Sequence, residues 1–275
     1  MIRLLNILSI DVAISSCAMA YLWSYYFQRP VDTITYVALA LVVWLIYTAD
    51  HLLDVRQGKK YAGQRYEFHS RYQLLLLIVC GLVIVTLSVL LFYLNTNLLL
   101  TGTGLFLIVG IHFLYAHLIT KKEVSYPKEG VVALVYVIGV SLPSISSMID
   151  QFSWVVVFYQ LSVLLLALIN LFLLSYFEIK EDQKQELTSI AIHYGKEKTS
   201  RIIKGCFMVN SIVLVSSYLL PHTDNLISTL FLCMTGVYFL IFTKHSFFTV
   251  NERYRLLIDV VLMFPLVLLL IDKLN

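Results

Sequence analysis

Two aspartates stand four residues apart where a long apolar stretch ends, in the segment YTADHLLDVRQGKK at residues 47–60. At this spacing Asp50 and Asp54 project from one face of a helix, where their like charges repel each other. The pair therefore needs a positive charge between its members or beside them. Basic residues follow at once in the same segment, so both a bound cation and a basic neighbour are candidates for that charge.

A second acidic run ends another apolar stretch, in SYFEIKEDQKQELTSIAIHYG at residues 175–195. Glu178, Asp182 and Glu186 are spaced i, i+4 and i+8, which again places them on one helical face. Two facing carboxylate pairs would suit Mg²⁺, which prefers oxygen ligands and binds through a few carboxylates together with substrate phosphates. The alternative is that both acidic helix ends are simply a solvated interface.

Basic side chains crowd the same polar segments and favour a phosphate-bearing partner, because Lys and Arg make charge-assisted hydrogen bonds to phosphate oxygens. These residues are Arg56, Lys59, Lys60, Arg65, Lys121, Lys122, Lys128, Lys180 and Lys184.

The composition is that of an integral membrane protein. Hydrophobic residues make up 59% of the chain, charged residues only 13%, and the mean hydropathy is +0.83, whereas soluble domains carry about 25% charged residues. This excludes the soluble classes of protein. The four cysteines stand singly in apolar runs, so neither a zinc site nor a disulfide framework is indicated.

The hydropathy pattern predicts an all-α polytopic protein, a single domain over residues 1–275, because a spanning helix needs about 20 mainly apolar residues. The nine predicted spans lie near 5–27, 33–53, 73–94, 98–119, 131–149, 153–177, 202–220, 225–243 and 255–272.

The distribution of basic residues predicts the orientation of these spans. With the N-terminus in the cytoplasm, 18 of the 20 Lys and Arg residues fall on the inner side, and only Arg29 and Lys273 fall outside. This is the asymmetry that the positive-inside rule describes. We therefore expect a cytoplasmic N-terminus and an external C-terminus, in the inner membrane of a bacterium.

One carboxylate lies inside a predicted span. Asp11 is about seven residues into the first span, where an acidic side chain is expected to face the bundle interior or a watery cavity. It would position an acceptor or a lysine there, or else serve as a structural partner to a donor on another span. Asn170, two turns before Glu178, is placed to reach the same interior.

The paired acidic segments, the nine spans and the basic inner loops resemble the UbiA superfamily of intramembrane prenyltransferases. That family has a motif NDxxDxxxD after its second span, and Asp50 and Asp54 match its last two acidic positions. Ile46 and Tyr47 stand in place of its Asn and its first Asp.

The second motif of the family, DxxxD after the sixth span, is matched by Glu178 and Asp182. The following LTSIAIHYG supplies Thr188, Ser189 and Gly195 at the family's distances. A Tyr-plus-Lys segment of the family is matched by Tyr115 and Lys121 near the fourth span. The resemblance covers nearly the whole chain.

The resemblance implies a helical bundle around a central cavity that opens to the cytoplasm. There Mg²⁺ would assist the transfer of an isoprenyl group from a polyprenyl diphosphate to a lipophilic acceptor, such as an aromatic ring. The reaction would take place within the bilayer, with no nucleic acid as partner. The implied metal-binding and catalytic residues are Asp50, Asp54, Glu178 and Asp182. The implied diphosphate-binding residues are Arg56, Lys60, Arg65, Lys121, Lys122 and Lys128. The implied cavity-lining and cation-stabilising residues are Tyr47, Tyr115, Tyr176, Asp11 and Asn170.

Two other functions remain open at the level of sequence. The altered first motif leaves room for a terpene cyclase that ionises the same diphosphate and quenches the cation internally. A non-catalytic transporter or lipid-binding protein on the same fold is the second alternative, which the missing first aspartate and the intramembrane Asp11 favour slightly.

Overall fold

The computed structural model describes residues 2–56, 64–114, 128–146, 153–184, 189–221 and 223–272, and every regular element among them is helical. The α-helices are α1 (Ile2–Ile7), α2 (Ile10–Tyr26), α3 (Thr33–Arg56), α4 (Gln64–Arg71), α5 (Gln73–Leu90), α6 (Thr96–Leu114), α7 (Glu129–Ile145), α8 (Trp154–Lys184), α9 (Ile190–Tyr194), α10 (Lys196–Ser217), α11 (Asn225–Thr243), α12 (His245–Thr249), α13 (Arg253–Val261) and α14 (Val267–Asp272).

Helices lie within all nine of the predicted spans, but they differ in how well they suit a membrane. Among the described residues, α3, α8, α10, α11 and the stretch Gln73–Tyr93 are long and apolar enough to cross one. The bent pair α13–α14 makes a sixth if it is counted as one span, while the apolar stretch Thr96–His112 of α6 and the helix α7 are shorter. The chain is thus a helical integral membrane protein, and the count of nine spans stays a prediction.

Two of the predicted spans are not continuous helices. The first divides into α1 and α2 at Ser9, whose φ of 54° is left-handed. Polar side chains there compete for the hydrogen bonds of a helix, and Asp11 accepts one from the amide of Val12. The last predicted span is bent by 51° between α13 and the segment Phe264–Asp272. Pro265 lies in the 3₁₀ turn at this bend, where it has no amide hydrogen to continue a helix.

Helix α8 lies at the centre of the bundle, packed against α7, α10, α11 and α13. Helix α2 joins the same group through contacts with α3, α7 and α13. Large side chains at these contacts are completely buried, among them Trp23, Tyr159, Phe231 and Tyr238. This arrangement brings the C-terminal end of α8 close to the first turn of α13.

Helices α5 and α6 lie at the outside of the bundle. Helix α5 packs on α3 and α6 on α7, and both present large apolar side chains outward. Leu74 of α5 and Leu100 of α6 have exposed fractions of 74% and 76%. Apolar exposure on this scale suits contact with lipid chains rather than with water.

Candidate functional site

The C-terminal end of α3 brings three possible metal ligands together. One oxygen each of Asp50 and Asp54 and one ring nitrogen of His51 lie within 4.8 Å of one another. These residues occupy the last two turns of the helix, where the negative end of the helix dipole adds to the repulsion between carboxylates. A cation at this position would relieve both unfavourable effects.

His51 is the member of this group that the sequence analysis missed. Its Nε2 atom is buried and has no hydrogen-bond partner among the residues that the structure describes. Its ring lies edge-on to the ring of His69 on α4, with 4.9 Å between centroids. The signal in the sequence was the His between the two matched aspartates, which the family motif leaves unspecified.

His69 is itself fixed by the backbone of α4. Its Nδ1 lies 2.8 Å from the carbonyl oxygen of Arg65, and because a carbonyl can only accept, Nδ1 carries the hydrogen. Burial lowers the pKa of His69 below its ordinary value, which favours the neutral ring. His69 therefore presents a neutral imidazole to His51.

The first acidic residue of the second helix end is already paired with a cation. Oε1 of Glu178 lies 2.6 Å from Nε of Arg255 at the start of α13, and Glu181 lies 3.1 Å from Nη2 of the same guanidinium. The hydroxyl of Tyr254 also approaches Oε1 of Glu178, at 3.4 Å. From the sequence, Arg255 was predicted only to be one of the positive charges on the inner side, and its contact with Glu178 was not predicted.

Asp182 is buried and sits one turn further along α8. It accepts a hydrogen bond of 2.8 Å from the hydroxyl of Ser189. Beside it, Oε1 of Glu129 accepts a 2.7 Å hydrogen bond from the amide of Ile190, while Oε2 of Glu129 is buried without a partner among the described residues. Glu129 was not a predicted site residue, and its position in the first turn of α7 carried no motif.

Lys128 connects the two acidic helix ends. Its ammonium is close enough to interact electrostatically with His51 at the end of α3 and with Asp182 at the end of α8. The side chain is exposed, immediately before α7. The ends of α3 and α8 therefore face a common region that holds at least one exposed cation, Lys128.

A buried polar network lies inside the bundle, on α1, α2, α4 and α13. Nδ2 of Asn6 donates to Asp11 at 2.6 Å and to Asp259 at 3.2 Å, so two carboxylates converge on one amide. Nη2 of Arg65 donates to Oδ1 of Asn6 at 3.0 Å and to its backbone carbonyl at 2.6 Å. Arg65 thus contributes a positive charge to the Asp11–Asp259 pair.

This network contains one residue with a different predicted role, Arg65, and one that was not predicted, Asp259. Arg65, predicted to bind diphosphate, uses its guanidinium to hold Asn6. Asp259 was not predicted at all, because a single Asp in the last span forms no motif and its partners Asn6 and Asp11 are some 250 residues away in the chain.

Tyr47 and Asn170 border this network. Tyr47 is close enough to interact with Asp259, Asp50 and Asp11, so it lies between the network and the end of α3. Asn170 donates to the hydroxyl of Tyr238 at 3.2 Å and to the carbonyl of Ile258 at 3.1 Å.

Tyr176 has a different environment. Its ring packs against Phe242 and His245, and the ammonium of Lys196 lies 5.0 Å from the ring centroid. The cation that faces this ring is therefore a lysine of α10. A role in stabilising a carbocation stays a prediction.

The remaining predicted residues divide between the surface and the undescribed segments. Arg56 is exposed in the last turn of α3, ahead of the basic segment. Lys60, Tyr115, Lys121 and Lys122 lie outside the described residues.

Comparison with known proteins identifies the fold. No protein-family model and no curated protein sequence matches the chain. Among solved structures, a UbiA homologue from Archaeoglobus fulgidus bound to GPP and Mg²⁺ matches with a TM-score of 0.64 and 13% identity, over 94% of this chain and 98% of that one. The apo structure of a UbiA homologue from Aeropyrum pernix K1 matches with a TM-score of 0.64 and 14% identity, with the same two coverages.

A third similar structure is that of a digeranylgeranylglyceryl phosphate synthase, with a TM-score of 0.56 and 17% identity over 97% of this chain and 95% of that chain. The similarity extends over nearly the full length of each protein. It shows that the chain has the fold of the UbiA homologues, as the acidic motifs predicted.

Proposed function

We propose, from this shared fold, that the chain is an intramembrane prenyltransferase, which moves an isoprenyl group from a diphosphate to a lipophilic acceptor. The observation that carries the proposal is the convergence of the ends of α3 and α8 on Lys128. A solved UbiA homologue of the same fold is bound to GPP and Mg²⁺, and another structure of that homologue to DMAPP and Mg²⁺.

The residues at the ends of α3 and α8 fit a divalent cation. Asp50 and Asp54 offer converging carboxylate oxygens, and Asp182 offers a third carboxylate beside Lys128. When bound, Mg²⁺ would neutralise the negative charge that develops on the departing diphosphate. Glu178 is the least suited of the four predicted ligands, because Arg255 already holds its Oε1.

Basic side chains have two separate tasks in this proposal. Lys128 and Arg56 are exposed at the site and are available to a diphosphate, together with Lys60, Lys121 and Lys122 of the predicted basic segments. Phosphate oxygens accept strong hydrogen bonds from such donors. Arg65 instead balances the charge of Asp11 and Asp259 through Asn6.

The polar network around Asn6 would lie at the end of the substrate cavity that is deepest in the bundle. Tyr47 stands between this network and the acidic end of α3, so its ring would lie near an isoprenyl group whose diphosphate is bound at that end. Aromatic faces stabilise positive charge. Asp11 and Asn170 would then border the place of the acceptor.

We further propose the nine-span topology with a cytoplasmic N-terminus and an external C-terminus. Helices occupy all nine predicted spans, and the distribution of Lys and Arg supports this orientation. The site would then face the cytoplasm.

The test is a diphosphate-release assay on the purified protein in nanodiscs, with Mg²⁺, GPP or DMAPP and a panel of lipophilic acceptors. Asp54→Asn and Asp182→Asn are expected to lower the rate at least tenfold, since even indirect partners of a metal site contribute about 10–100-fold. Glu197→Gln, at an exposed position of α10, is the matched control and should retain the rate.

The same assay separates the alternatives. Diphosphate release without acceptor, accompanied by a cyclic hydrocarbon or alcohol, would indicate a cyclase. Full activity in both Asp variants would overturn the site assignment. A separate binding measurement by calorimetry tests the third function. If Mg²⁺ fails to promote binding of the prenyl diphosphate, the protein is a non-catalytic lipid-binding protein or transporter.

A further inference from the structure

The three ligand groups at the end of α3 share one side of the helix. Successive residues of an α-helix are rotated by about 100°, so positions 50, 51 and 54 together span an arc of roughly 100°. His51 therefore sits beside the Asp50–Asp54 pair rather than opposite to it. The distance limit of 4.8 Å between the three ligand atoms agrees with this geometry.

The ring of His51 has a polar atom that the described residues leave unsatisfied. Its Nε2 is buried and has no hydrogen-bond partner among them. A buried polar group without a partner is costly and calls for an explanation such as a bound ion. The neighbouring carboxylates make a cation the suitable partner.

His69 positions the His51 ring without competing for it. The Nδ1 hydrogen of His69 is committed to the carbonyl of Arg65, and the two rings meet edge-on. His69 acts here as a rigid support for His51.

We propose that His51 is a metal ligand, which supplies a ring nitrogen to the cation bound by Asp50 and Asp54. This inference rests on the proposed function only for the location of the metal. A set of two carboxylates and one imidazole differs from an all-oxygen set, because imidazole suits transition metals and carboxylate suits both Mg²⁺ and Mn²⁺. The site therefore binds Mn²⁺, Fe²⁺ or Co²⁺ more tightly than Mg²⁺. The ratio of these affinities is larger than it would be for a site made of carboxylates alone.

The direct test uses Mn²⁺ as the probe in pulsed electron paramagnetic resonance. The wild-type protein, purified in nanodiscs after labelling with ¹⁵N-histidine, should show ¹⁵N modulation from an imidazole bound to Mn²⁺. This measurement needs neither substrate nor any variant. If the loaded wild-type protein shows no histidine nitrogen coupling, the proposal is wrong.

Three variants identify the ligand. His51→Gln replaces the ring nitrogen by an amide group and should abolish the ¹⁵N modulation. Because Mn²⁺ binding is weakened more than Mg²⁺ binding, the ratio of the Mg²⁺ to the Mn²⁺ dissociation constant should fall by about tenfold or more, the lower end of the effect of disturbing the residues around a metal. His193→Gln, at an exposed histidine of α9, should change neither. His69→Gln should keep the modulation. Loss of the signal in His69→Gln or His193→Gln, with retention in His51→Gln, would overturn the assignment.

The result is separable from the fate of the proposed function. Histidine coupling to Mn²⁺ without any diphosphate release would leave the ligand assignment standing and refute prenyl transfer. Prenyl transfer with Mg²⁺ but no histidine coupling to Mn²⁺ would support the proposed function and refute His51 as a ligand.

Discussion

At the scale of single residues, Glu178 shows how a matched motif position can have a different neighbour from the one expected. Its Oε1 is held by Arg255 at 2.6 Å, and Glu181 binds the same guanidinium. The side chains of Arg255 and Glu178 are 30% and 23% exposed, so the pair is only partly screened by solvent. Glu178 thus joins α8 to α13 before any metal is considered.

The first residue-scale prediction follows from this pairing. Arg255→Met should lower the stability of the protein by about 1–3 kcal/mol, the usual cost of leaving a partly buried polar group without its partner. Glu178→Gln should lower diphosphate release less than Asp182→Asn does, because the Glu178 carboxylate is already engaged. Thermal denaturation in detergent and the release assay check the two effects.

A different order of the two activity losses would contradict the assignment of Glu178 to the contact with Arg255. If Glu178→Gln abolishes activity as fully as Asp182→Asn and leaves the denaturation midpoint unchanged, Glu178 is a metal ligand and its contact with Arg255 is secondary.

At the scale of elements, the short helices α1 and α4 are fixed mainly by side-chain contacts. Arg65 of α4 donates two hydrogen bonds to Asn6 of α1, and Asn6 in turn reaches Asp259 of α13. The break at Ser9 lets α1 turn so that Asn6 meets Asp11. The four elements are therefore connected through one asparagine.

We predict that Arg65→Met loosens α1 specifically. Loss of both hydrogen bonds from the guanidinium to Asn6, each worth about 1.5–3 kcal/mol because the donor is charged, should raise amide hydrogen exchange in residues 2–7 by about tenfold or more. Hydrogen exchange with mass spectrometry measures this in nanodiscs. Arg71→Met, an exposed arginine on the same helix, is the control and should leave α1 unchanged.

The breaks in the first and last predicted spans could not be placed from hydropathy. Hydropathy averaged over a window of residues shows only that residues 5–27 and 255–272 are apolar. The left-handed Ser9 and the 51° bend before Phe264 depend on which polar groups find partners across the bundle. Those partners come from distant parts of the chain, such as Asn6 and Asp259.

At the scale of the whole molecule, the distribution of charge and exposed apolar surface predicts how the bundle sits in the bilayer. Helices α5 and α6 expose large apolar side chains, whereas the polar ends of α3 and α8 lie where the predicted inner loops begin. We expect both acidic ends and the basic segments to face the cytoplasm.

Single cysteines introduced into a cysteine-free background test this topology. Asp32→Cys lies in a predicted outer segment and should react with a membrane-impermeant maleimide in intact cells. Glu67→Cys lies on α4 in a predicted inner segment and should react only after the membrane is opened. Both positions are exposed, so accessibility within the protein is matched. The opposite labelling pattern would reverse the orientation.

The sequence by itself determined the class of protein, the location of the long apolar helices and the two acidic helix ends. These depend on hydropathy and on spacing along one helix, and both are local properties. Asp50 and Asp54 could be chosen because i, i+4 carboxylates share a face whatever surrounds them.

Only the tertiary structure decided which charges meet. It paired Glu178 with Arg255 and Arg65 with Asn6, and it brought Asp259 to Asp11. It also left Nε2 of His51 buried without a partner among the described residues, on a ring that lies beside two carboxylates. The physical reason is that packing between helices selects the electrostatic and hydrogen-bond partners. Residues that meet across a bundle are far apart in the chain, and no sequence pattern links them.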